Sequence, residues 1–292
     1  MNNKIYLMAA LIALASVGAL LIQPTVASAQ SSMIDNILNS ATPSSDTNDN
    51  NQSSPTSDDS SSSSTAVPLS SSLSCGQVIK QSVKLTANLD CKTDGIIVGA
   101  DGITIDLNGF TLSGPGEKSS KVGVMFADND GVIVQGPGTI SKFQAGALFS
   151  GGEDNKISRV TFTENEIAVF ETGAKNTAIE DNLMFGNSIG VAAHSSSGSK
   201  LNTNLFKAND LAGVTLVNSA NNELSMNTIQ GSVNGIFLDG QSTKNNVNSN
   251  NVLQNRGVDL NNGNGLPTNI NDNVFADNNC NTSVPDGLCL GR

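Results

Sequence analysis

From Lys121 onward the chain alternates short apolar runs with clusters of Asn, Gly and Ser, and the alternation keeps a fixed period. Its most regular run is a small residue followed by apolar, any, apolar. The copies are Gly123-Val-Met-Phe126, Gly146-Ala-Leu-Phe149, Ala168-Val-Phe-Glu171, Gly190-Val-Ala-Ala193, Gly213-Val-Thr-Leu216, Gly235-Ile-Phe-Leu238 and Gly257-Val-Asp-Leu260, spaced by 23, 22, 22, 23, 22 and 22 residues. Two Asn columns run in phase with it. One is Asn182, Asn204, Asn227, Asn250 and Asn273; the other is Asn165, Asn187, Asn209, Asn255 and Asn278, with Ser232 in the remaining place.

Runs this short, broken by turn-forming residues, are strand punctuation. A period near 22 residues predicts a coil with about three strands per turn, equivalent strands stacking at about 4.8 Å. One turn cannot bury its apolar face alone, so stacked turns must share a core. Asn suits the bends between strands, because it tolerates the left-handed backbone and its amides can bond from turn to turn. The fold class is therefore all-β: a single-stranded parallel β-helix of about 8–9 turns and ~40 Å, with capped ends.

Period-two logic assigns faces. In the small-a-b-c run, a and c should point inward and b outward. Position b reads Met125, Leu148, Phe170, Ala192, Thr215, Phe237 and Asp259. An outward column this apolar marks a contact face, for a loop or stalk of the chain itself or for a partner. Met125, Leu148, Phe170 and Phe237 are therefore candidate binding residues. Glu171 breaks the inward pattern and is expected at a strand end, in water.

Three segments follow from composition. Residues 1–29 hold one charged side chain, Lys4, an apolar run over 5–22 and the small-x-small motif Ala27-Ser28-Ala29, which predicts a signal peptide cleaved before Gln30 or else a retained anchor. Residues 30–74 hold five Asp and no Lys or Arg among Ser, Asn, Thr and Pro, and are expected to be a disordered linker. Residues 75–292 are the β-helix domain with its caps. Asn51 and Asn281 head glycosylation sequons. Cys75, Cys91, Cys280 and Cys289 form two close pairs at the ends of the repeat array. After an export signal they predict disulfides, and 75–91 with 280–289 suits a coil whose ends lie far apart.

The small-[Ile/Val]-x-[Leu/Phe] strands, the Asn pairs five residues apart and the stretch from Gly95 to Gly114 resemble right-handed parallel β-helix proteins of the pectate-lyase-like superfamily, especially NosD-like repeats. The resemblance covers residues 75–280 and implies a right-handed coil. It implies no single activity, since the superfamily holds lyases, hydrolases, epimerases, adhesins and accessory factors. Its lyases use an acidic calcium site with an Arg or Lys base, and glycosidases use paired carboxyls. On that footing Asp239, Arg256 and Asp259 are the candidate catalytic residues, the two Asp on outer positions of adjacent turns ~8 Å apart. Calcium is the one cofactor a lyase here would need; no other is expected. His194, the only His, falls in the column of Asp239 and joins the binding candidates. Asp128-Asn-Asp-Gly131 reads as a turn, because the further ligands of a calcium loop are missing, and no metal site is assigned.

Charge and aromatic content narrow the function. A net charge of −11 disfavours nucleic acid and, without bridging calcium, acidic polysaccharides. There is no Trp, and the single Tyr, Tyr6, lies in the signal segment, which argues against a deep glycan cleft. The expected function is a secreted or surface-tethered binding or structural module of adhesion or envelope type. Its partner would be a cell-envelope glycan or protein, with membrane contact only through an uncleaved N-terminus. The alternative is a polysaccharide lyase or glycoside hydrolase working on the outer face. A part in metal-centre maturation is implied by the NosD-like resemblance alone; one His, paired cysteines and no Met-rich cluster give it little support.

Overall fold

The computed structural model describes residues 73–290, so the signal segment, residues 30–72 of the linker and Asn51 lie outside the described residues. Three parallel sheets build the domain. Sheet A has ten strands, from Gln77–Ile79 to Ser283–Val284; sheet B has nine, from Val83–Lys84 to Val274–Ala276; sheet C has nine, from Leu89–Asp90 to Asn279–Cys280. The chain visits A, B and C in rotation, and each strand pairs with its counterpart one turn away. This is a right-handed parallel β-helix of about nine turns.

Strand length follows from the repeat. Strands of sheets B and C are mostly three residues, just enough to aim one apolar side chain inward: Ile157, Ile179, Leu201 and Leu224 in B, Phe162, Met184, Phe206 and Ile229 in C, all buried. The strands of sheet A reach six residues, as in Ala145–Ser150 and Ile189–His194, and send positions a and c into the core. The small residue before them faces the core at a corner. A Cβ on Gly146 would stand 2.6 Å from the Ala168 carbonyl oxygen and 2.7 Å from the Phe162 ring, so even Ala would force a shift at this position.

Each corner carries a polar ladder. Between B and C, Asn204 Oδ1 accepts from the backbone N–H and the Nδ2 of Asn182, both at 3.0 Å, while Asn204 Nδ2 donates to the Ile179 carbonyl at 2.7 Å. Asn227, Asn250 and Asn278 continue the series. Between C and A run Asn165, Asn187 and Asn209, then Ser232 and Asn255. A third ladder, not foreseen from the periodicity, joins Asn222, Asn245 and Asn273 between A and B, with Ser199, Thr177 and Asn155 occupying its earlier rungs.

Three expectations change here. Asn273 and Asn278 each belong to a different column from the one assigned by spacing, because a loop with the 3-10 turn Thr268–Ile270 stretches that step to 28 residues. The left-handed residue of the B–C corner is also not the Asn but its predecessor. Asp181, Thr203, Met226, Ser249 and Asp277 have φ of 54° to 56°, and the Asn that follows satisfies the backbone groups the bend leaves unpaired. Finally, the last repeat marker is displaced by two residues: Asn234 pairs with Val258 and Ile236 with Leu260, so Asp259, not Gly257, occupies the column of Gly235. The disulfides are Cys75–Cys91 and Cys280–Cys289, one at each end of the coil, as expected.

Candidate functional site

The residues nominated for catalysis are drawn apart by the turns that hold them. Asp239 follows the end of the sheet A strand Asn234–Leu238 and is 6% exposed. Its Oδ1 accepts from the Ser242 hydroxyl at 2.6 Å and from the backbone N–H groups of Asn218 at 3.0 Å and Gln241 at 3.3 Å, closing the bend from A to B. Asp259 lies near the start of the next sheet A strand and is 2% exposed. Its Oδ1 accepts from Asn255 Nδ2 at 2.9 Å and its Oδ2 from the backbone N–H groups of Asn281 at 2.9 Å and Thr282 at 3.1 Å. It thereby ends the C–A ladder and ties down the C-terminal cap. Asp239 pairs in position with Gly263, four residues from Asp259, so roughly 13 Å of strand separates the two carboxylates rather than ~8 Å. Asp259 does not face outward as expected, because the two extra residues of its turn move it into the inward corner column. Arg256 Nη2 donates to the Asp210 carbonyl at 2.6 Å.

The proposed outward column is likewise corrected in part. Leu148 and Phe170 do point away from the interior cluster, yet both are buried, as are Ala192 and Thr215; Met125 and Phe237 at the two ends are half-buried. Those middle residues are not an open contact face. His194 ends the strand Ile189–His194, half-buried, with Val217 between it and the level of Asp239. Asn281 is exposed in the C-terminal cap.

Glu171 is the functional group that sequence reasoning misplaced. It sits in register between Phe149 and Ala193, inside the coil and 0% exposed. The Ser199 hydroxyl donates to its Oε2 at 3.0 Å, while Oε1 has no partner. Burial pushes its pKa up to about 7, against the weaker pull of the Ser199 and Thr177 hydroxyls. The signal was present, since every neighbour in its column from Phe126 to Leu238 is apolar; what was missing was the exact end of the strand.

The outer faces differ in charge. Sheet B carries ion pairs between neighbouring turns, Lys84–Asp106 at 3.1 Å and Lys156–Glu180 at 2.6 Å. Sheet C, from Thr111–Ser113 to Asn251–Val252, presents one charged side chain outward, Lys207. The turn Asp128–Gly131 is held as a turn: Asp130 Oδ1 accepts from the Glu153 N–H at 2.8 Å and Asp101 Oδ1 from the Asp130 N–H at 3.1 Å. It borders a shallow acidic depression with Glu153, opposed by Lys175. Among the described residues no group of three or more His, Cys, Asp or Glu is placed to hold a metal ion.

A disulfide-capped, three-sheet parallel β-helix with amide ladders at its corners is a protein of an oxidising, extracytoplasmic compartment. More specifically, the chain belongs to the NosD family: the family described as periplasmic copper-binding protein (NosD) matches residues 79–287. No curated protein matches the sequence. Among solved structures the chain is similar to the Dettilon tailspike protein gp208 (17% identity, 63% of this chain and 44% of that one, TM-score 0.47). It is also similar to the DFA-IIIase of Arthrobacter chlorophenolicus A6 in complex with GF2 (12%, 62% and 50%, TM-score 0.48). A third is the Azotobacter vinelandii mannuronan C-5 epimerase AlgE4 A-module (12%, 70% and 80%, TM-score 0.36). The match spans about half or less of the first two chains, and likeness at this level says nothing of activity.

The family description raises the question of copper, whose protein ligands are imidazole, thiolate and thioether. All four cysteines are bridged, and His194 is the single imidazole. The described methionines are scattered: Met184 in the core, Met226 exposed in a turn, Met125 on the outside of sheet A. The described residues do not fit a copper centre.

Proposed function

We propose that this protein is a non-catalytic binding or structural module of the cell envelope, exported by its N-terminal segment and carried on the Ser/Asp/Asn-rich linker. The observation that carries the proposal is the state of the nominated carboxylates. Asp239 and Asp259 are buried and accept hydrogen bonds from the backbone they hold in place, at opposite ends of their strands. A general acid or base must reach a substrate proton, and two such groups must share one site. The partner is a glycan or protein of the envelope. The second reading, a polysaccharide lyase or hydrolase with calcium, has the long outer faces of the coil and the shallow depression of Asp128, Asp130, Glu153 and Lys175 in its favour, but among the described residues no group of carboxylates is placed to hold the calcium. Glycans on Asn51 and Asn281 would suit export and would show as mass increments in the secreted protein.

The test is incubation of the protein, with calcium, against neutral and acidic polysaccharides, reading product masses. Intact polymers are the expected outcome. Unsaturated or hydrolysed oligosaccharides that vanish in Asp239→Asn would overturn the proposal in favour of the enzyme.

A further inference from the structure

Beyond Asp90 at its first strand, the outer face of sheet C carries little charge for so acidic a molecule. Thr111, Thr139 and Thr161 stand one above another in its first column; in its second, Ser113, whose hydroxyl donates to Asp90 Oδ1 at 3.3 Å, and Thr163 flank the buried Ser141. Strand geometry sets these hydroxyls at about 4.8 Å along the coil and ~6.7 Å across it, and the two flanking ladders begin beside them, Asn182 Oδ1 accepting from the Val160 N–H and Asn165 Nδ2 donating to the Ile140 carbonyl. The next turns replace hydroxyls with an apolar patch: Leu183, Leu205 at 37% exposure and Phe185 at 46%. Of the described phenylalanines only Phe185 stands largely in the open, on a stretch of sheet C whose strands, from Thr111–Ser113 onward, carry Lys207 as their outward charge.

We infer that this face docks a neutral polysaccharide laid along the coil axis. The inference rests on the binding-module reading above and names its ligand class and surface. A sugar ring has an apolar C–H face and a hydroxyl edge; Phe185, Leu183 and Leu205 offer contact to the first, the Thr hydroxyls to the second. With Lys207 the outward charge of the strands from Thr111–Ser113 onward and Asp90 at the rim, few ionic groups must be desolvated when a neutral chain settles. An acidic polymer would meet the field of a protein with net charge −11 with one cation to hold it. A protein partner fits less well, because the face offers none of the Trp, Tyr or Arg anchors on which such interfaces depend. The repeated rows favour a polymer over a single sugar, since each turn adds one weak contact to the same chain.

Affinity electrophoresis of the full-length exported protein in gels containing hydroxyethylcellulose, xyloglucan or dextran tests this, with cellulose and chitin powders for co-sedimentation and alginate as the acidic control. Retardation by at least one neutral polymer, insensitive to salt and absent with alginate, is expected. Phe185→Ala and Thr161→Val should each weaken it about tenfold, equivalent to ~1.4 kcal/mol, while Phe185→Trp retains it and Lys156→Ala on sheet B leaves it unchanged. No retention by any neutral polymer overturns the inference, as does salt-sensitive binding to alginate alone. Neutral-polymer binding that survives both Phe185→Ala and Thr161→Val overturns the inference but leaves the module reading standing. Shortened polymer removes the module reading, and loss of binding in Phe185→Ala would still assign the face.

Discussion

Glu171 stands in a column whose neighbours are Phe126, Phe149, Ala193, Leu216 and Leu238, and no ionisable group faces it from the strands in register with it. Ala193, one turn on, leaves the room its longer side chain needs. A carboxyl in such a place prefers its proton, and its pKa rises from 4.5 to about 7. The sign follows directly. Below 4.5 folded and unfolded chains both hold the proton and Glu171 has no effect. Between 4.5 and 7 only the folded chain keeps it, so stability falls as pH rises, and above 7 the loss is complete at about 3 kcal/mol. Glu171→Gln should therefore melt higher than the native protein at pH 8 and show a shallower decline between pH 4.5 and 7.5. Thermal melts of the two proteins across that range decide it; parallel curves would mean that the carboxyl reaches water.

At the scale of the element, the strand is too short to stand by itself, and the ladders supply what three residues cannot. Asn204 alone serves the N–H and amide of Asn182, the carbonyl of Ile179 and the Oδ1 of Asn227. Removing its side chain strands several of these groups away from water, each costing about 1–3 kcal/mol. We expect Asn204→Ala to destabilise the domain by ~3 kcal/mol or more in urea denaturation, whereas Asn202→Ala, half-exposed on sheet B, should fall within about 0.5 kcal/mol of native. Equal effects of the two would show that the ladder is decoration. The same logic explains why Thr203 and Met226 accept a left-handed backbone: the following Asn repays the bend with bonds on both sides.

For the molecule as a whole the weak points are its ends, where strand edges and core would otherwise open. Cys75–Cys91 and Cys280–Cys289 close segments with sequence separations of 16 and 9, worth about 3 kcal/mol each on the chain-entropy account. Asp259 adds a buried carboxylate that grips the backbone of Asn281 and Thr282. Reduction should therefore loosen the coil from its ends inward. Hydrogen exchange with and without a reductant should show faster exchange at Gln77–Ile79 and Ser283–Val284, with Ile189–His194 and Ala212–Val217 still protected. Uniform loss of protection would instead mean that the whole stack melts as one unit.

What the sequence determined by itself is the coil: a 22-residue period of small-apolar-x-apolar runs and Asn columns admits few other solutions, and cysteines paired by position foretold the bridges. Period-two alternation also sorted inward from outward wherever the period held. It failed at two places for one reason. Around Gly257 and again between Asn250 and Asn278, insertions move residues between columns, and a pattern read by counting cannot tell where a turn has taken up the slack. Hydrogen-bond register decided that Asp259 is a corner residue, that Asp239 lies at the other end of its strand, and that Asn273 is part of a third ladder. Burial was decided there too. Glu171 is inside and Leu148 and Phe170 are closed to water because each side chain's exposure depends on what packs over its position, which spacing along the chain does not carry.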